Sequence, residues 1–140
     1  MNRVVIAVGS NIEPEANIEK ARSILAGALR LVGESAFVRT APVGIAEQPD
    51  FINGAFLVET SLDCDRLRRY LKEVEKRIGR VRGAERYGPR RIDLDIVVWN
   101  GEVVDEDFYV RDFLRAACCE LLPELSTARK TGGRSPGAPA

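Results

Sequence analysis

Residues 80–99 read RVRGAERYGPRRIDLDIVVW, and the second half of that stretch decides the fold. From Ile92 to Trp99 the chain alternates. Ile92, Leu94, Ile96 and Val98 fall on one face, and Asp93, Asp95, Val97 and Trp99 on the other. That is the pattern of a strand with one face in a core. Trp99-Asn100-Gly101-Glu102 follows at once, and Asn-Gly between apolar runs predicts a hairpin into a short partner strand. The first half, Arg80 to Arg91, is a loop broken by Gly83, Gly88 and Pro89, and it carries Arg80, Arg82, Arg86, Arg90 and Arg91.

Working outward toward the N-terminus, Leu67, Tyr70, Leu71, Val74 and Ile78 recur at helical spacing behind Asp63, a good N-cap, and ahead of Gly79, a good stop. Glu75 sits one position off that stripe and reads as a surface charge. Phe51–Thr60 reads as a strand, with Asn53 early in it, and Ala36–Val43 as another, stopped near Pro42 and Gly44. Pro14 opens a helix whose stripe is Ile18, Ala21, Leu25, Ala28, Leu29 and Val32, with Gly33 at its exit. Arg3–Gly9 is a β-branched strand ending in the turn Gly9-Ser10-Asn11. Downstream of the hairpin, Asp105–Val110 reads as irregular. Asp112–Leu122 reads as a helix with Phe113, Ala116, Ala117 and Leu121 inward, limited by Pro123.

The succession is β-α-β-β-α-β followed by a hairpin and a helix. It predicts an α+β, ferredoxin-like sandwich with an antiparallel sheet and helices on one face. One domain is expected over residues 1–125, with a Gly/Pro-rich disordered tail over 126–140. The charges balance, with 21 Lys+Arg against 21 Asp+Glu, so no global field draws nucleic acid or membrane. No apolar run reaches the length of a membrane span, and the N-terminus lacks a signal-peptide pattern. Three cysteines at 64, 118 and 119 show no metal-ligand spacing and no disulfide framework, so the expected location is the cytoplasm. There is no histidine, which excludes Ser-His and Cys-His catalysis.

Asp93 and Asp95 stand two apart on a strand and point the same way. Like charges side by side are costly unless a cation neutralises them, and magnesium takes oxygen ligands from one or two carboxylates plus substrate phosphates. The upstream arginines suit the phosphates. For Asp-x-Asp taken alone, an exposed strand face is the commoner reading. Two aspartates, however, do not account for five arginines.

The stretch Tyr87-Gly88-Pro89-Arg90-Arg91-Ile92-Asp93-Leu94-Asp95-Ile96-Val97 resembles the signature of the 6-hydroxymethyl-7,8-dihydropterin pyrophosphokinases of folate biosynthesis. The resemblance implies transfer of pyrophosphate from ATP to the dihydropterin. Asp93 and Asp95 would hold two Mg²⁺ ions. Arg80, Arg82 and Arg90 would act catalytically on the phosphates. Glu75, Arg86, Ile96 and Arg111, with those three arginines, would face ATP. Thr40, Pro42, Val43, Phe51, Asn53, Tyr87 and Phe113 would face the pterin. Tyr87 stands where many members carry Trp. Arg111-Asp112-Phe113-Leu114 matches the family's Arg-x-Phe segment, while the stretch before it is shortened and lacks the usual Pro-His pair. The implied partners are small molecules, without nucleic acid or membrane, acting on a monomer. Two other readings stay open on the sequence: a relative that binds pterin or nucleotide without turnover, and a ferredoxin-like module whose arginine loop grips RNA or a protein.

Overall fold

The computed structural model describes residues 1–42, 47–79 and 91–130. Six strands form one antiparallel sheet: β1 (Asn2–Ser10), β2 (Arg30–Glu34), β3 (Val38–Thr40), β4 (Phe51–Thr60), β5 (Asp93–Trp99) and β6 (Glu102–Val103). Their spatial order is β2-β4-β1-β5-β6, with β3 continuing along β4 after β2. Central β1 pairs with β4 from Asn2↔Thr60 to Ser10↔Ile52, and with β5 on its other side. This is the ferredoxin-like α+β arrangement that the succession of elements predicts.

Two helices, α1 (Pro14–Ala28) and α2 (Cys64–Ile78), cover one face. Val4, Ile6, Val8, Phe56, Val58 and Leu94 meet Ile18, Leu25, Leu67 and Leu71 there. Alternation along each strand sends the intervening residues to the opposite face. On that side Val5, Ala55, Leu57 and Val97 pack under α3 (Asp107–Val110), α4 (Asp112–Leu121) and a 3₁₀ turn (Pro123–Thr127). The sheet is therefore covered on both faces, each with its own apolar cluster.

The start and stop signals of α2 hold. The Asp63 carboxylate accepts from the Arg66 amide at 2.8 Å, and Gly79 closes the helix at φ +109°. Four expectations need correction. First, α1 ends at Ala28, so Gly33 is not its exit, and Leu29 and Val32 lie beyond it, Val32 in β2. Second, of the expected strand over 36–43 only β3 (Val38–Thr40) forms among the described residues, and an unexpected strand, β2 (Arg30–Glu34), precedes it. Between them, the Ser35 amide donates to the Ala55 carbonyl and the Ser35 hydroxyl accepts from the Ala55 amide, both at 2.9 Å. Third, the strict alternation of β5 breaks near its end. Val5 pairs with Val98 but Ile6 with Ile96, and this bulge turns Val98 into the α4 cluster and Trp99 toward the helix α2 side. Fourth, Asp105–Val110 contains the helical turn α3, and in α4 it is Leu114, Ala117 and Cys118 that are buried while Ala116 is exposed. The 3₁₀ turn also runs past Ser126, the expected start of the tail; residues 131–140 lie outside the described residues. All three cysteines are free, and burial pushes the Cys118 thiol up to about 12. Among the described residues no helix is long and apolar enough to cross a membrane.

Candidate active site

The two carboxylates singled out in the sequence sit at the end of β5 that β6 does not cover. Asp93 is opposite Gly9 and Asp95 opposite Ala7. Both point to the α4 side of the sheet and line a cavity of about 160 Å³. Its floor is the N-terminal end of β4, with Phe51 and Asn53, beside Gly9 of β1. Its roof is the start of α4, with Arg111, Phe113 and Leu114, and its rim carries Asp105 and Asp107. Antiparallel pairing explains the convergence: the last residues of β1 lie beside the first of both β4 and β5.

Asn53 is held from two directions. Its amide donates to the Thr40 hydroxyl at 2.5 Å, across the β3–β4 pair. Its carbonyl end lies so near Gly9 that a Cβ there would stand 2.5 Å from Oδ1. Gly9 thus permits a side chain to lie flat over β1 at the cavity floor. The turn after β1 is structural as well. The buried Asn11 amide donates to the Gln48 side chain at 2.8 Å and to the Pro49 carbonyl at 3.1 Å. This ties the approach to β4 to the end of β1.

A second cavity, of about 370 Å³, lies around the edge of β5 on the α2 side. Leu71, Lys72, Ile96 and Val104 line it, and Asp95 and Asp105 border both cavities. Glu75 is not the surface charge that its position off the stripe suggests. It is fully buried, and one carboxylate oxygen accepts from the Leu94 amide at 2.8 Å and from Lys72 Nζ at 3.0 Å. It therefore packs beneath β5 rather than opening onto the second cavity. Lys72 Nζ also reaches the Leu94 carbonyl at 3.3 Å and Asp95 Oδ1 at 3.2 Å. Burial lowers the Lys72 pKa, but Asp95 and Glu75 outweigh it and the net shift is upward.

Of the residues that the resemblance assigns to the pterin, Phe51, Asn53 and Phe113 line the first cavity, Thr40 holds Asn53, and Pro42 is not among its lining. Of those assigned to ATP, Ile96 lines the second cavity, while Arg111 lines the first, 3.9 Å from the Asp107 carboxylate. Arg80, Arg82, Arg86, Arg90, Tyr87 and Val43 lie outside the described residues. Lys72, Asp105 and Asp107 were missed. The signal for Lys72 was its place one helical turn before Glu75, and for the other two the acidic run directly after the hairpin.

A metal is tested by the donor set. Among the described residues no cluster of three acidic, histidine or cysteine side chains is placed to enclose an ion. Two carboxylates lining one cavity suit a hard cation that keeps water and takes the rest of its shell from a bound phosphate, as magnesium does.

The family model for 7,8-dihydro-6-hydroxymethylpterin-pyrophosphokinase (HPPK) matches residues 5–123. The chain is 37% identical over 136 residues to a 2-amino-4-hydroxy-6-hydroxymethyldihydropteridine pyrophosphokinase of Pseudomonas aeruginosa, covering 89% of this chain and 83% of that one. It is 32% identical to the protein of the same name from Methylorubrum extorquens, covering 94% and 89%. It is also 35% identical to a mitochondrial folate synthesis bifunctional protein of Arabidopsis thaliana, covering 86% of this chain and 24% of that protein. The chain thus spans most of the bacterial relatives and about a quarter of the bifunctional plant one.

Proposed function

The chain belongs to the 7,8-dihydro-6-hydroxymethylpterin-pyrophosphokinase family, and from that premise we propose that it transfers pyrophosphate from ATP to 6-hydroxymethyl-7,8-dihydropterin in folate biosynthesis. The observation that carries this reading is the position of Asp95, on the border between an aromatic-walled cavity and a larger one behind β5. The pterin enters the first, between Phe51 and Phe113, with the Asn53 amide at its edge. The nucleotide enters the second, against Leu71 and Ile96. The hydroxymethyl oxygen then meets the triphosphate at the acidic pair. That oxygen attacks the β-phosphorus, the bond from Pβ to the α–β bridging oxygen breaks, AMP leaves with the electron pair, and the hydroxyl proton passes to water.

Asp93 and Asp95 hold magnesium, two ions in the full complex. The chemistry magnesium supplies when bound is neutralisation of phosphate charge and alignment of the attacking and leaving oxygens. Arg80, Arg82 and Arg90 act on the phosphates, with Arg86 and Arg111 contributing to nucleotide binding, because guanidinium groups match phosphate oxygens bidentately. Tyr87, Pro42 and Val43 complete the pterin side. Glu75 acts from beneath, fixing the Leu94 amide between the two aspartates.

The test is AMP release from MgATP, with and without the dihydropterin. Release that requires the pterin is expected from the native chain. Asp93→Asn and Asp95→Asn are expected to lose on the order of 10²–10³-fold in rate, the scale of losing one positioned electrostatic partner, with unchanged circular dichroism. Undiminished AMP production in both variants overturns the metal assignment. Binding of pterin and nucleotide without AMP marks a relative that binds only.

A further inference from the structure

Lys72 is a cation already in place where a metal is expected. Its ammonium group is fixed from below by the buried Glu75 carboxylate at 3.0 Å and by the Leu94 carbonyl at 3.3 Å. From that seat it reaches around the edge of β5 that β6 leaves unpaired to Asp95 Oδ1 at 3.2 Å. The two contacts differ in kind. Glu75 is wholly enclosed, so its bond to the partly exposed Lys72 is reached by water from the lysine side alone; Asp95 is about half exposed (53%), so its bond is weaker and open to exchange. An ammonium anchored on a buried carboxylate keeps its position when the outer partner is drawn away.

We propose that Lys72 is a positioning residue for the acidic pair: its ammonium is the resident counter-ion that holds Asp95 at the border of the two cavities and that a divalent cation displaces on binding. The inference rests on the reading of Asp95 as a metal ligand. Its consequence is a competition. A metal taking Asp95 Oδ1 displaces Lys72 from that oxygen and must also tolerate a positive charge nearby, so the lysine weakens metal binding to the empty protein. The freed ammonium stays on Glu75, at the wall of the second cavity where nucleotide is proposed to lie.

The experiment uses the full chain without nucleotide. Mg²⁺ is titrated while the Lys72 side-chain Cε and Nζ resonances and the Asp95 carboxyl carbon of the native chain are followed by NMR. Both signals are expected to move with one midpoint, and the Lys72 shift is expected to vanish in Asp95→Asn. In parallel, Mn²⁺ binding is measured by electron paramagnetic resonance. Lys72→Gln is expected to bind Mn²⁺ about three- to tenfold more tightly, the scale of removing one partly screened charge; removing a lysine that only held α2 against β5 would leave Mn²⁺ affinity unchanged or lower it. An Asp95 shift with a motionless Lys72 overturns the proposal, and that result needs no Lys72 variant to fold. Mn²⁺ affinity of Lys72→Gln within twofold of the native chain, or weaker, also overturns it. If Asp95 itself does not respond to Mg²⁺, the metal reading falls and this inference with it.

Discussion

Asp105, at the rim of the first cavity, sits in an environment that works against its charge. Burial pushes its carboxyl above the ordinary range. The Asp107 amide, donating to Oδ1 at 2.9 Å, pulls it back, and the charges of Asp107, Asp95 and Glu106 push it up again. A carboxyl raised in the folded state favours folding when protonated. Its contribution is present below the unfolded value of 3.8 and is lost as pH rises through the folded one, so at pH 7 the ionised Asp105 is a cost. Asp105→Asn keeps an oxygen for the Asp107 amide and removes the charge. It is expected to raise the melting temperature at pH 7 by about 1–3 °C, a gain that closes as pH falls below the unfolded value. A melting temperature unchanged or lowered at pH 7 would show that the ionised form is better accommodated than its burial indicates. At this scale the sequence was informative for Asp93 and Asp95, because alternation alone decides which side chains share a face. It was not informative for Glu75. Helical spacing reports how far a position lies from the stripe, but not whether a strand amide across the interface is waiting for an acceptor.

The elements were legible where start, stop and period agreed, as in β4 and α2, whose limits follow Phe51–Thr60 and the Asp63 and Gly79 signals. They were not legible between α1 and β4, where one strand was expected and two occur. The cause is a side chain. Phe37 leaves the line of the strands and lays its ring on Gly54, and a Cβ at Gly54 would stand 2.6 Å from that ring. The Phe37 ring also meets Phe56, with centroids 5.9 Å apart. A β-branched run gives no hint of this, because the break is set by a cross-strand contact with a glycine well downstream. Gly54→Ala is therefore expected to destabilise the chain by about 1–3 kcal/mol through overpacking. Phe37→Leu makes room, so the double variant should be more stable than the sum of the single losses predicts. Denaturant unfolding of the four chains gives the coupling directly; additive losses would mean that the cost at Gly54 does not come from the Phe37 ring.

For the molecule as a whole, the sheet separates two cores that serve the proposed chemistry differently. The α1–α2 core supports the sheet and, through α2, one wall of the second cavity. The α4 core carries the roof of the first, since Arg111, Phe113 and Leu114 belong to the start of a helix seated on it. Its far side is closed by the 3₁₀ turn, where Leu125 is buried and Arg115 clamps the chain by donating to the carbonyls of Ser126 at 3.2 Å and Ala128 at 2.8 Å. The sequence foretold the helix, but not this second core, because a ferredoxin-like succession specifies helices on one face only. Leu25→Ala, in α1, and Leu125→Ala each delete a buried leucine and should each cost about 2–5 kcal/mol. Their effects on substrate should nevertheless differ. At a temperature where both variants remain folded, Leu125→Ala is expected to raise the KM for the dihydropterin about three- to tenfold, because α4 settles toward its new void and its first turn moves with it. Leu25→Ala is expected to leave that KM within about twofold, since α1 lines neither cavity. Equal KM values in the two variants would mean that the roof over Phe51 and Asn53 is held by the sheet rather than by the helix packed on it.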